Sequence, residues 1–147
     1  MTPADRPVVG EDDVRRATPV DLPVLRALQS RLDEPVSGLF DDLPPGETLV
    51  TTDRGVAVGY VHAVTGETAH LTELVVAPAY RRAGRGRRLL ETLLSVLRGA
   101  GCRVVTLTVA TENESAQALY EDAGFERVAL LQGHYEDGDA YRYSRTL

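Results

Sequence analysis

Residues 71–101 read LTELVVAPAYRRAGRGRRLLETLLSVLRGAG, and the rest of the chain is organised around them. The stretch opens with Leu71, Leu74, Val75 and Val76, an aliphatic and β-branched run of strand length. Pro78 ends that strand, because proline lacks a ladder donor and restricts the residue before it. Leu89, Leu90, Leu93, Leu94 and Leu97 then recur on one face of a helix, which Gly99 and Gly101 close. Between the two lie Arg81, Arg82, Ala83, Gly84, Arg85, Gly86, Arg87 and Arg88. The unit is strand, arginine- and glycine-rich turn, helix.

The first turn of a helix carries amides without intrahelical partners and a partial positive charge. Gly84 and Gly86 let a ligand approach the backbone, and the arginines at 81, 82, 85, 87 and 88 surround those amides. A phosphate or pyrophosphate is the expected guest. The chain has no lysine, which excludes a Walker loop, and Leu89 stands where a dinucleotide fingerprint needs its third glycine. What does match is V-x-P-x-Y-R-x-x-G-x-G, on Val76, Pro78, Tyr80, Arg81, Gly84 and Gly86. This segment resembles the acyl-CoA-binding motif of the GNAT superfamily of N-acyltransferases. A second segment, with Asn113, Ala116, Tyr120, Gly124 and Phe125, resembles the N-x-x-A-x-x-x-Y-x-x-x-G-F pattern of the same family.

At 147 residues the chain reads as a single domain, 1–147, with residues 1–13 as a loose leader. It holds no apolar run long enough to span a membrane and no charged-then-apolar leader, so a cytoplasmic protein without a membrane partner is expected. Cys102 is the sole cysteine, which excludes an intramolecular disulfide. The net charge of −6 is segregated. Residues 71–103 carry seven arginines against two acids, whereas 1–70 carry six against twelve and 104–147 three against eight. One basic segment in an acidic chain argues for a localised anion site and against nucleic-acid binding.

Elsewhere the pattern predicts a short strand at 14–17, then a helix capped by Thr18 with Pro19 at its first position. Residues 33–47 are acidic and mostly loop, with a short helix around 36–43. Residues 48–53 and 56–64 form a hairpin turning at Arg54 and Gly55. A strand at 103–110 follows the leucine-rich helix and is expected to run parallel to the first. A helix at 113–123 is closed by Gly124. Strands at 125–131 and 140–147 form an antiparallel pair joined by a loop that holds His134 and Tyr135. This order is similar to the GNAT topology. It implies an α/β (α+β) fold: a central mixed sheet of about six to seven strands, flanking helices, and a splayed parallel pair at the CoA site.

The resemblance implies an acetyl-CoA-dependent N-acetyltransferase that needs no metal, acting on a primary amine by direct attack in a ternary complex. Pantetheine would pair with Leu74, Val75 and Val76. The pyrophosphate would sit on the turn formed by Arg81, Arg82, Ala83, Gly84, Arg85, Gly86 and Arg87. Asn113 would orient pantetheine or cap its helix, and Tyr120 would protonate the leaving thiolate as general acid. For the base, Glu73 is the first choice and His134 or Tyr135 the second, with a water chain to bulk also sufficient. His62 and His70 read as surface strand residues. Plainer readings stand beside these: Arg87 and Arg88 as solvated helix residues, Asn113 as only an N-cap, Tyr120 as a packed aromatic, Glu73 as a water-exposed or arginine-paired acid. Cys102 lies at the end opposite the proposed thioester and is set aside as an acyl carrier.

The segment from Tyr135 to Ala140 resembles the corresponding loop of ribosomal-protein alanine acetyltransferases. Those enzymes carry a glutamate base where this chain has Thr108. The acceptor stays open between a small cationic amine and a protein N-terminus or lysine, and a homodimer is compatible with the sequence. The alternatives are a non-catalytic CoA-binding module and a different phosphate-ligand enzyme.

Overall fold

The chain runs β1 (Asp12–Arg16), α1 (Leu22–Gln29), β2 (Glu47–Asp53), β3 (Val56–Val64), β4 (Thr68–Val76), α2 (Arg85–Gly99), β5 (Val104–Ala110), α3 (Glu114–Asp122), β6 (Glu126–Tyr135) and β7 (Gly138–Thr146). This is a computed structural model, and it describes residues 12–81, 83–136 and 138–147. The strands form one seven-stranded sheet in the order β1-β2-β3-β4-β5-β7-β6. Every neighbouring pair is antiparallel except β4 and β5, the pair joined through α2. The mixed sheet with a parallel pair at its centre is the expected architecture. Among the described residues no helix is long and apolar enough to cross a membrane.

The leader expected at 1–13 lies outside the described residues up to 11, and β1 already begins at Asp12. The first helix starts later than its cap predicts. Pro19–Asp21 form one 3-10 turn, and α1 begins at Leu22. The Asp21 carboxylate turns back to accept from Thr18 N at 2.8 Å and from both Arg15 Nη atoms at 2.8 and 2.9 Å. The short helix expected around 36–43 is absent. Isolated turns, Leu39 N to Val36 O and Asp41 N to Gly38 O, take its place. Gly38 at φ +73° interrupts a segment already bounded by Pro35, Pro44 and Pro45.

Each sheet face has its own core. The leucines of α2 pack with Leu49, Val61, Ala69, Leu71, Val105 and Leu107, joined by Tyr120, Phe125 and Tyr143. Leu25 and Leu28 of α1 pack on the other face with Phe40, Val50, Tyr60 and Val75. Along β4 the parity changes: Ala69 and Leu71 face α2, but so do Leu74 and Val76, while Val75 faces α1. The cause is a β-bulge. The β3–β4 register passes from Ala63↔Leu71 to His62↔Glu73, leaving Thr72 as the extra residue. The bulge turns Glu73 toward α1; with strict alternation it would share the α2 face with Leu71.

The parallel ladder between β4 and β5 is short. It holds Thr68↔Val104, Ala69↔Val105 and His70↔Thr106, and the pairing ends there, just before the bulge at Thr72. β5 stays on β7 over its whole length, from Val104↔Thr146 to Ala110↔Ala140. The closing hairpin is longer than expected: β6 runs to Tyr135, so His134 and Tyr135 sit on a strand, not in a loop. Their pairing is irregular between Leu131 and Tyr135, which is why the alternation there is hard to read.

Candidate active site

A groove of about 990 Å³ opens where β4 and β5 separate. One end is the start of α2. Gly84 caps that helix in the left-handed region (φ 79°, ψ 10°), a conformation that favours glycine. Arg88 N donates to Gly84 O at 2.9 Å, so the amides of Gly86 and Arg87 before it have no helical carbonyl to bond. A Cβ on Gly86 would lie 3.7 Å from Leu119 Cδ2 and 3.9 Å from Val76 Cγ2, both residues of the groove wall. The turn is therefore a cradle whose floor is kept clear by the missing side chain.

The arginines do not surround it evenly. Arg85 turns inward: it is 6% exposed, donates to Thr52 O at 3.1 Å, pairs with Asp53 at 3.3 Å, and lies over the Tyr80 ring. Arg87 pairs with Glu91 at 2.8 Å along its helix and donates to Asp122 O at 3.2 Å, as a surface helix residue does. Arg81 donates through Nε to Val76 O at 2.8 Å. Arg82 lies outside the described residues, and Ala83 is exposed away from the groove wall. The side chains of Arg81, Arg85 and Arg87 are thus committed to partners on β4, β2, α2 and α3, and the first-turn amides of Gly86 and Arg87 are the donors left at the turn.

The three β4 residues expected to meet pantetheine differ in where their main chain faces. Ala77 N donates to Val58 O, so by strand alternation the main chain of Val75 also faces β3, while that of Leu74 and Val76 faces the gap. The backbone of Val75 pairs with Tyr60 and its side chain belongs to the α1 core, though the residue also lines the groove.

Tyr120 stands on α3 at the same groove. Gly124 N donates to Glu121 O and Phe125 N to Tyr120 O, both at 3.0 Å, with Gly124 at φ +91°. This Schellman closure explains the Y-x-x-x-G-F spacing, because it stacks Phe125 back on Tyr120, ring centroids 5.8 Å apart. Tyr120 is 6% exposed, and its hydroxyl makes no hydrogen bond among the described residues. Burial, aided by Tyr135, pushes its phenol above the ordinary tyrosine range, so the group keeps its proton. Asn113 caps α3, its Oδ1 accepting from Ala116 N at 3.1 Å, and also lines the groove.

Glu73 is neither water-exposed nor arginine-paired. It is 5% exposed on the groove wall and accepts from Tyr60 Oη at 2.7 Å, Val36 N at 2.7 Å, and Gln29 Nε2 at 3.1 and 3.2 Å. Tyr135 and Thr108 share the groove, as do Asp33 and Glu34; His134 does not line it. His62 is a correction. It is 1% exposed, its Nε2 meets Pro45 O at 3.0 Å, and its Nδ1 meets the hydroxyl of the bulge residue Thr72. Gln29, Tyr60 and Gln117 escape the sequence reading. Gln117 is buried and donates to Ala110 O and Thr111 O, fastening the end of β5 to α3 on one side of the gap. No local signal marks them. Among the described residues no three His, Cys, Asp or Glu side chains cluster as a metal site.

A parallel pair that parts midway, with a helix N-terminus at one end of the gap and a buried tyrosine beside it, is the geometry of one class. The chain belongs to the Acetyltransferase (GNAT) family, whose pattern it matches over residues 16–125. It is 47% identical over 72 residues to the N-alpha-acetyltransferase RimI of Mycobacterium tuberculosis, 48% of this chain and 44% of that protein. It is 33% identical over 90 residues to the ribosomal protein bS18-alanine N-acetyltransferase of Escherichia coli (strain K12), 61% of each chain. These matches thus span less than two thirds of either relative. Among solved structures, Ard1 from Thermoplasma volcanium superposes with a TM-score of 0.83 at 27% identity, covering 93% of this chain and 98% of that one.

Proposed function

We propose that the protein transfers the acetyl group of acetyl-CoA to the free α-amine of a protein or peptide N-terminus, by direct attack in a ternary complex. The observation that carries this reading is the hydroxyl of Tyr120, a buried residue whose Oη has no hydrogen-bond partner among the described residues and which lines the groove that begins at the amides of Gly86 and Arg87. A CoA-binding module needs the cradle but has no use for that hydroxyl. The two relatives above, named for N-terminal and alanine acetylation, favour an α-amine over a small cationic amine or a lysine side chain.

The parts divide by chemistry. Gly84, Gly86 and Arg87 offer backbone to the pyrophosphate, and the empty Cβ position of Gly86 leaves it room. Leu74 and the Val76 amide offer pantetheine the main-chain edge that faces the gap, the Val76 carbonyl being held by Arg81, and the Val76 N–H would meet the thioester oxygen. An amine that arrives protonated loses its proton to solvent along the open groove. As the C–N bond forms and the C–S bond breaks, Tyr120 donates its phenolic proton to the departing sulfur. Incubation with acetyl-CoA and a peptide bearing N-terminal alanine should yield the Nα-acetyl peptide by mass spectrometry, with an equal amount of free thiol. Binding of acetyl-CoA without transfer to that peptide or to any amine in an acceptor panel would leave only the binding module.

A further inference from the structure

Glu73 is the meeting point of four segments. Tyr60 reaches it from β3, Gln29 from the end of α1 and the Val36 amide from the loop after α1, while the carboxylate itself stands on β4 just past the bulge. Gln29 Nε2 also donates to Val36 O at 3.0 Å. The Val36 residue is thus held at both backbone groups, its N–H by Glu73 and its C=O by Gln29. The loop between those anchors is short and carries Arg31, Leu32, Asp33 and Glu34, which form one wall of the groove. Glu73 lies three residues back along β4 from Val76, ~10 Å away at strand rise, on the side remote from the start of α2. Three donor groups hold the carboxylate: Tyr60 Oη on Oε1, the Val36 amide on Oε2, and Gln29 Nε2 shared between the two oxygens.

We propose that Glu73 is a positioning residue of the acceptor side: it latches the 31–36 loop against β4, and it does not receive the acceptor's proton. The inference rests on the acetyl-transfer reading above for what the wall faces. The latch itself rests on hydrogen bonds alone. A carboxylate of this kind acts through the wall it holds, so breaking the network from the other end should have the same effect as removing the charge.

The test compares Glu73→Gln with Gln29→Ala and Tyr60→Phe, which keep the carboxylate and loosen its partners. The Phe variant retains the edge-on packing of that ring against Phe40, centroids 5.1 Å apart, and so guards against simple unfolding. Steady-state kinetics use acetyl-CoA and the N-terminal alanine peptide, and amide exchange at Val36 is followed by NMR. All three variants should raise the peptide KM, Gln29→Ala by roughly tenfold as suits lost bonds to a charged group, with the KM for acetyl-CoA unchanged. Glu73→Gln should keep the acid limb of the kcat profile, and its Val36 amide should exchange faster than in the wild type. Loss of that limb with a kcat fall of ~10²-fold or more, while Gln29→Ala leaves the peptide KM untouched, would make Glu73 the base and overturn the latch. A wild type that does not acetylate the peptide sinks the acceptor reading alone. Equal Val36 protection in wild type and Glu73→Gln overturns the latch in either case.

Discussion

Replacing Tyr120 by phenylalanine removes one atom that the proposed chemistry needs and the fold does not. The ring keeps its neighbours, Phe125 at 5.8 Å and Tyr143 at 6.5 Å between centroids. No donor or acceptor among the described residues is orphaned, because the hydroxyl has no partner there. The substitution breaks no hydrogen bond and keeps the ring packing, so the melting temperature of the variant should hold. Activity should move the other way. Loss of a general acid slows turnover by about 10²-fold at the low end, which is ~2.7 kcal/mol of transition-state stabilisation. The KM for acetyl-CoA should change little, since the lost interaction forms only as the sulfur departs. Because burial raises the phenol's pKa, the wild type keeps the proton between about pH 6 and 9, and the deficit should be constant over that range. The assay is thiol release from acetyl-CoA with the N-terminal alanine peptide, repeated with an acyl donor whose thiol leaves more easily, where the deficit should shrink. An unchanged kcat, or a kcat fall matched by a lower melting temperature, would refute the assignment and leave Tyr120 a packing residue.

Gly86→Val should fold normally, since its Cβ meets only ordinary contacts at 3.7 and 3.9 Å, yet the thermal stabilisation by acetyl-CoA should vanish as the side chain fills the cradle; equal shifts in both proteins would count against the amide site. Asp53→Ala removes the carboxylate beside the buried Arg85 guanidinium, which keeps Thr52 O, and should cost about 1.5–3 kcal/mol in urea unfolding, whereas Arg85→Met, which fills the same space without charge, should cost less. The reverse order would mean the arginine works through its charge on the groove instead of through Asp53. The Arg15 guanidinium, with help from Thr18 N, holds the Asp21 carboxyl below the usual aspartate range. Its stabilisation is therefore present above the unfolded pKa and is lost as pH falls through the folded one. Asp21→Asn should cost about 1–2 kcal/mol at pH 7, with the gap to wild type narrowing below about pH 4; a gap that ignores pH would argue against the ion pair.

The order of elements was readable because its signals are local. Pro78 ends β4, Gly84 starts α2 and Gly101 and Gly124 follow the two helix ends, and each acts through atoms no more than a few residues away. The leucine period of α2 names its buried face without reference to what covers it. The spacing of Tyr120 to Gly124 and Phe125 is of the same kind, a helix closure written within six residues. Asn113, read as either cap or ligand, does cap α3, a role that asparagine before a helical run announces locally.

What the sequence could not show is where side chains find partners across the sheet. Thr72 carries no mark of a bulge, yet that one extra residue reverses the parity of β4 and turns Glu73 toward α1, next to where the pairing with β5 ends. Arg85 looks like one more phosphate ligand until β2 brings Thr52 and Asp53 beneath it, and His62 looks exposed until Pro45 and Thr72 close over it. Helix period, strand run and cap depend on neighbours along the chain, and so they belong to the sequence. Register, bulge position and the pairing of residues thirty or more apart depend on which strands lie side by side, and only the assembled sheet decides that.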